Sequence, residues 1–222
     1  FRNHEPLDSP YHNHQFSLLE WYRRGEGYET LMEDAQALIS ELAGRSSLEW
    51  NGRRLDLTRF ERLSVRQAFR RFADIDFDRE LGESPAGYWA GLLDLAESRG
   101  HGRPGSLDDA FYLLFLNHVE PALAALDHPV FLYEYPSFQA AFSRPGPDPR
   151  YGERVELYLA GVELANGYGE LADEGEQRKR LQDGNRQRRE QSAVVLSIDP
   201  DFPQFLPHMG MTSGIALGWD RL

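Results

Sequence analysis

Apolar and polar positions alternate over Phe16–Tyr22. Phe16, Leu18, Glu20 and Tyr22 fall on one face of a strand, and Ser17, Leu19 and Trp21 on the other. A glutamate and a tyrosine sharing a face with apolar neighbours read as a pocket wall rather than plain core. The period then turns helical. Tyr28, Leu31, Met32, Ala35, Leu38, Ile39 and Leu42 form one stripe, predicting a core-facing helix over Glu29–Ala43 with Gly44 as its stop. Residues 44–127 read as a helical insertion. Ser64-Val65-Arg66-Gln67 is a capping box followed by the stripe Val65, Ala68, Phe69 and Phe72. Ser106-Leu107-Asp108-Asp109 starts another helix, which runs through Val119 and breaks at Pro121. Strand character returns at Val130–Tyr135 and ends at Pro136. It resumes over Glu153–Gly169, with the turn-prone Ala160-Gly161 inside. Ala172–Gln191 is polar on nearly all sides and reads as a surface helix. Gly214–Leu222 is a glycine-spaced apolar run that delivers Arg221. Strands that do not alternate regularly with helices indicate an α+β fold on a mainly antiparallel sheet, in one domain spanning residues 1–222.

Composition narrows the chemistry. The chain has 222 residues and no cysteine, which removes disulfides, thiolate zinc sites and cysteine nucleophiles. A reducing, cytoplasmic setting is compatible with that. No apolar run reaches the roughly 18–20 residues of a membrane span, so no membrane partner is expected. The net charge of −12 disfavours nucleic-acid binding through a broad basic face. One local basic cluster stands against that trend, at Arg178, Lys179, Arg180, Arg186, Arg188 and Arg189. No glycine-rich phosphate loop precedes a helix, so a nucleotide would have to be held by side chains of the sheet.

Three sets of residues could carry chemistry. Glu156 and Glu163 flank the Ala160-Gly161 turn and could meet as hard oxygen ligands suited to Mg²⁺. On spacing alone, two edge-strand glutamates in water is the more economical reading. Asn166, Tyr168 and Glu170 share a face that could grip an amine, the carboxylate supplying charge and the ring a cation–π surface. Strict alternation puts Glu163 on the opposite face, and a bulge near Ala165 is needed to reunite them. Arg2 and Arg221 lie at the two ends of the chain and suit phosphate, or simply the surface. His4, His12 and His14 read as surface histidines before they read as a metal site, because no carboxylate–histidine cluster supports zinc.

Taken together, these segments resemble the lysine branch of the class II aminoacyl-tRNA synthetases. Phe1-Arg2-Asn3 with His12-Asn13-His14-Gln15-Phe16-Ser17-Leu18-Leu19-Glu20-Trp21-Tyr22 is similar to that family's second motif, Glu156–Glu170 to its metal and lysine strands, and Gly214–Leu222 to its third motif. Within the branch the chain is most similar to the elongation factor P–(R)-β-lysine ligases. Leu19-Glu20-Trp21-Tyr22, the stretch from Leu63-Ser64 to Ile75-Asp76, and Glu163-Leu164-Ala165-Asn166-Gly167 carry that likeness. Those ligases have alanine where Ala165 stands and lysyl-tRNA synthetases have glycine.

The resemblance implies an ATP-dependent ligase that activates lysine or (R)-β-lysine as an adenylate and transfers it to a lysine of elongation factor P. It implies that Arg2 and Arg221 are the catalytic arginines. Arg2, His4, His12, Phe16, Glu156 and Arg221 would bind ATP, with Phe16 under the adenine. Glu156 and Glu163 would bind Mg²⁺. Glu20, Tyr22, Ala165, Asn166, Tyr168 and Glu170 would line the amino-acid pocket. It further implies a cytoplasmic homodimer and a chain truncated at both ends, because the family's first motif and its last helix would lie outside Phe1–Leu222. His4, His14-Gln15 and Trp219 depart from the family pattern. Two alternatives stand beside this reading: aminoacylation of tRNA, and a catalytically weak paralogue that only binds amino acid or adenylate.

Overall fold

Six strands hydrogen-bond in the order β1–β8–β7–β6–β5–β4 in a computed structural model that describes residues 14–81, 87–190 and 193–222. They are β1 (Leu18–Arg24), β4 (Glu61–Ser64), β5 (Val130–Pro136), β6 (Tyr151–Leu159), β7 (Val162–Gly169) and β8 (Thr212–Gly218). Only β4 and β5 run parallel; the other neighbours are antiparallel. The α+β expectation with a mainly antiparallel sheet therefore holds. The β6–β7 hairpin closes at Ala160 and Gly161, both with positive φ (50° and 82°), the conformation a two-residue hairpin turn demands.

Helix α1 (Tyr28–Ala43) covers one face. Its stripe Tyr28, Leu31, Met32, Ala35 and Ile39 is buried against Phe131, Val155, Leu157, Ala165, Ile215 and Leu217 of the sheet. Each fully buried aliphatic or aromatic side chain of this kind contributes about 1.5–3 kcal/mol. Gly44 ends the helix at φ 58°. Leu42, the last residue of the expected stripe, is instead exposed, on the rim of an open cavity that it shares with Trp50 and Leu55.

The opposite face is divided. Over the β4–β5–β6 half lie α2 (Val65–Ala73), α3 (Phe77–Glu80), α4 (Gly91–Ala96), α5 (Leu107–Leu114) and α6 (Glu120–Ala125). Val65, Phe69, Phe77, Leu92, Phe111 and Phe115 pack there with Val130, Leu132, Tyr135 and Tyr158. The segment 44–127 is mostly helical, as the pattern indicates, but it also holds three strands. β4 joins the main sheet, and β2 (Ser47–Trp50) pairs with β3 (Arg53–Asp56) in a separate hairpin. Four-residue strands carry too little alternation to show in sequence. The expected break at Pro121 is a restart. A π-type turn over Phe115–Val119 leads into α6 with the proline in its first turn, where its missing N–H costs no hydrogen bond.

The capping box forms as the sequence indicates. Ser64 Oγ accepts the Gln67 N–H at 3.2 Å, and Gln67 Oε1 accepts the Ser64 N–H at 2.8 Å. Ser64 is buried, so no water replaces the lost bond in a variant. Ser64→Ala is expected to destabilise the fold by about 1 kcal/mol, seen as a lower urea midpoint at unchanged m-value. An unchanged midpoint would show that α2 is held by packing alone.

Candidate active site

The uncovered half of the second face is a trough. Its floor is β8, whose Gly214, Ala216 and Gly218 alternate onto this side and contribute almost no bulk. Register places Tyr22 opposite Gly214, Glu20 opposite Ala216 and Leu18 opposite Gly218 on the β1 side. On the β7 side Tyr168 faces Gly214, and Asn166 faces Ala216. Beyond β7, Arg154 faces Tyr168 and Glu156 faces Asn166 on β6. The four residue steps from Gly214 to Gly218 give the floor a length of about 13 Å.

A bulge completes the site. Leu157 pairs with Ala165 and Tyr158 with Glu163, so Leu164 has no opposite number on β6. The extra residue reverses the alternation once and returns Glu163 to the face of Asn166, Tyr168 and Glu170. It lies beside Ala165, where the sequence requires it. The same geometry corrects the expected role of Ala165 itself. Its methyl group is buried on the α1 side among Leu157, Leu164 and Leu217. One step along the strand from Asn166, it backs the trough and does not line it.

Glu156 is the buried anion of the site, 5% exposed. Arg154 Nη2 and Asn166 Nδ2 (3.0 Å) donate to its Oε1; Tyr135 Oη and Tyr158 Oη (2.6 Å) donate to its Oε2. Four donors fill the roughly four acceptor positions of a carboxylate. Tyr135 reaches Glu156 through a second bulge, between Tyr133 and Tyr135, where Glu134 takes φ 56°. Arg154, Tyr135 and Tyr158 were not among the residues expected from sequence. The alternation Arg154-x-Glu156-x-Tyr158 was the available signal. Asn166 Oδ1 and Arg154 Nε are buried without a hydrogen-bond partner. The face thus keeps one acceptor and one donor unused.

Glu163 is the open carboxylate. Burial first, and then the neighbouring Glu156, push its carboxyl above the usual range, while Arg221 and Arg154 pull it down. Arg221 donates to the Glu163 backbone oxygen at 2.8 Å and stands 3.9 Å from its carboxylate. Phe16 belongs to the same end: the Trp219 N–H donates to Ser17 O at 3.0 Å and the Ser17 N–H to Asp220 at 2.7 Å. Among the described residues no group of three or more histidines, aspartates or glutamates could hold a metal ion. Two adjacent carboxylates are what Mg²⁺ uses when phosphates and waters complete its shell. Glu163 is the one with acceptor positions to spare.

Glu170 occupies the other end. Burial pushes its carboxyl up to about 7, with Arg144 pulling in the opposite direction. A Cβ on Gly214 would lie 2.5 Å from the Tyr22 ring and 2.6 Å from Glu170 Oε1, so both side chains converge over that glycine. Burial, then Glu170 and Glu20, hold the Tyr22 hydroxyl above its ordinary value. The structure therefore brings together Glu20, Tyr22, Asn166, Tyr168 and Glu170, and places Phe16, Glu163 and Arg221 at the far end. Arg2, His4 and His12 lie outside the described residues. An apolar cavity of about 280 Å³ opens elsewhere, at the end of α1 between Leu42, Trp50, Leu55 and Val162. It has none of the polar groups of the trough except Arg221.

The family model for tRNA synthetases of class II (D, K and N) matches residues 1–222. The chain belongs to this family. Similar curated proteins are elongation factor P–(R)-beta-lysine ligases. That of Hamiltonella defensa subsp. Acyrthosiphon pisum is 38% identical over 224 residues, and that of Proteus mirabilis 37% over 229. That of Yersinia enterocolitica is 36% identical over 229 residues. Each match covers 100% of this chain and 63% of the relative, so the chain spans under two thirds of their length. The class II synthetase likeness read from the three motifs is thus the family shown, and the ligase likeness agrees with the names of these relatives. No described helix is long and apolar enough to cross a membrane.

A prediction follows from Glu170. Burial pushes its carboxyl up to about 7, above the ordinary carboxylate value near 4.5, so the fold favours the neutral form. The stability this group supplies is full below about pH 4.5 and is lost as pH rises through 7. Glu170→Gln keeps a neutral group at every pH. It is expected to stabilise the ligand-free protein at pH 8 by about 1–2 kcal/mol once solvent screening is allowed for. The difference should close by pH 4–5 in thermal denaturation, and a pH-independent difference would contradict the burial of this carboxyl.

Proposed function

We propose that the whole protein activates lysine or (R)-β-lysine with ATP as an aminoacyl-adenylate, and passes the acyl group to a lysine of elongation factor P. The chain described here serves as its single catalytic domain. The observation that carries this reading is the polarity of the trough. A half-buried, cation-seeking carboxyl, Glu170, lies at one end, and Arg221 with Glu163 lies about 13 Å away. An amino acid with a terminal amine, joined to AMP, has its charges in that order.

In this reading Glu170 receives the side-chain amine, with Tyr22 and Tyr168 as the aromatic walls and Glu20 and Asn166 beside the backbone groups. The substrate carboxylate attacks the α-phosphorus in line, a P–O bond forms, and pyrophosphate departs with the electrons of the broken bond. No protein nucleophile is required, so catalysis consists of alignment and charge neutralisation. Glu163 would hold Mg²⁺ directly, with Glu156 adding negative potential from its fixed position. Mg²⁺ would neutralise the leaving phosphates. By resemblance, Arg221 would hold the outer phosphate, Phe16 would stack on the adenine, and Arg2, His4 and His12 would make the remaining nucleotide contacts. Ala165, behind the trough, acts on amino-acid choice only through the spacing of β7.

Among the described residues, the basic cluster that could favour tRNA as the acceptor is largely paired within its own helix. Within the basic cluster on α7 (Glu174–Glu190), Arg178 pairs with Glu174, Arg180 with Glu176 and Arg186 with Asp183. The cytoplasmic homodimer belongs to the same proposal.

ATP–pyrophosphate exchange by the full-length protein tests it. (R)-β-lysine should stimulate exchange more than lysine, and both more than the alkyl analogue norleucine. Glu170→Gln should raise the KM for the amino acid by about ten- to a hundredfold, from the worth of a hydrogen bond to a charged group, and leave the KM for ATP unchanged. Glu163→Gln should raise the Mg²⁺ concentration needed for half-maximal exchange. Equal loss of affinity for ATP and amino acid in Glu170→Gln would make that residue structural and remove the amine pocket.

A further inference from the structure

Behind the amine end of the trough stands an ion pair that the chemistry above does not use. Arg144 lies between β5 and β6. Its Nε and Nη2 donate to Glu153 Oε2 at 3.0 and 2.6 Å, and its Nη1 donates to Thr212 O at 3.3 Å. Its backbone N–H donates to Gly169 O at 2.7 Å, and its backbone oxygen accepts the Glu153 N–H at 2.9 Å. Thr212 O also accepts the Glu170 N–H at 2.9 Å, and Ser143 bridges to Glu170. Through its side chain and its backbone, this one residue therefore ties together β6, the end of β7 that leads into Glu170, and the start of β8 that leads to Gly214.

Gly169 makes the arrangement possible. A Cβ there would collide with Glu153 Oε2 and lie 2.8 Å from Arg144 Nη2. Because strand residues alternate, the pair sits on the α1 side of the sheet while Glu170 faces the trough. The two are separated by little more than the backbone of Gly169.

We propose that Arg144 is a positioning residue for the amine-binding carboxylate: paired with Glu153 across Gly169, it clamps the strands that carry Glu170 and Gly214 and sets how strongly Glu170 holds a cation. The proposal deepens the functional reading and rests on its assignment of Glu170 to the amine. Among the described residues, the charged or titratable groups that act with Glu170 are Tyr22 on β1, Tyr168 on β7 and Arg144 from behind, with Glu20 acting on Tyr22 beside it. Arg144 is the one cation among them. Glu153 neutralises most of that charge, so the pair acts as a weak positive bias rather than a competing lysine-like partner.

The two members of the pair then have opposite effects on one observable. The full-length protein is titrated with (R)-β-lysine by calorimetry from pH 6 to 8.5, and the Glu170 carboxyl is followed by NMR without ligand, assigned by difference from Glu170→Gln. Removing the cation in Arg144→Gln should raise the midpoint of amine binding and of the Glu170 titration by about one pH unit. At pH 7 that weakens amine binding by about fivefold, as the ionised fraction falls. Arg144→Lys should restore the wild-type midpoint. Glu153→Gln, which leaves Arg144 unneutralised, should move it down. A merely structural pair would lower stability in all variants and move no midpoint. Wild-type midpoints in Arg144→Gln and Glu153→Gln overturn the proposal. Should Arg144→Gln not fold, Glu153→Gln and Arg144→Lys decide it. If the wild-type protein binds (R)-β-lysine no better than norleucine, the amine reading falls instead, and the ligand-free Glu170 titrations still decide the role of Arg144.

Discussion

A buried carboxylate in mid-sheet constrains the rest of this structure. Glu156 is closed off from water, and an unpaired charge in that position would cost several kcal/mol. Its partners come from three adjacent strands: Tyr135 on β5, Arg154 and Tyr158 on β6, and Asn166 on β7. Ideal strands could not supply all of them. β5 must bulge at Glu134 to turn Tyr135 inward, and β7 must bulge at Leu164 for Glu163 to share the face. The positive φ of Glu134 is a local cost accepted to complete that shell.

The same sheet face serves two purposes side by side. Over β4–β6 it is sealed by helices, and Leu132, Tyr135 and Tyr158 belong to an aromatic-rich core. Over β7, β8 and β1 no described helix covers it, and the side chains turn polar within one strand spacing. Glu156 and Arg154 lie on that border. They are rigid because the core holds their neighbours, and they are near enough to the trough to set its potential. Preorganisation of this kind lets a site stabilise developing charge without rearranging at the moment of reaction.

Much of this was legible in the amino acids. Periodicity gave α1, the capping box gave the start of α2, and the alternation of Asn166, Tyr168 and Glu170 gave one wall of the trough. The need for a bulge near Ala165 was also visible, because Glu163 fell on the wrong face without it. Other features were hidden for physical reasons. β2, β3 and β4 are four residues each, too short to show a period. Pro121 reads as a breaker in sequence, yet a first-turn proline starts a helix as readily as it ends one. Ala165 was assigned to the pocket by likeness, and a one-residue step in a strand moves a side chain to the opposite face. Arg144 and Glu153 are close in sequence, but Gly169 and Thr212, which complete their arrangement, come from β7 and β8, and no local pattern announces it.

The pairing of β1 with β8 carries one more consequence. Leu18–Arg24 meets Thr212–Gly218, so the chain must close a loop of nearly its whole described length before the floor of the trough has a wall. Closure over such a separation is slow to arise and gains little until neighbouring contacts are in place. β8 also carries two glycines, Gly214 and Gly218, which favour the unfolded chain. During synthesis, β4 to β7 and the helices between them can assemble while β8 is still being made. The uncovered half of the sheet can form only afterwards, as the last layer added to an existing core. A nascent chain that has folded its core therefore has no trough until β8 emerges.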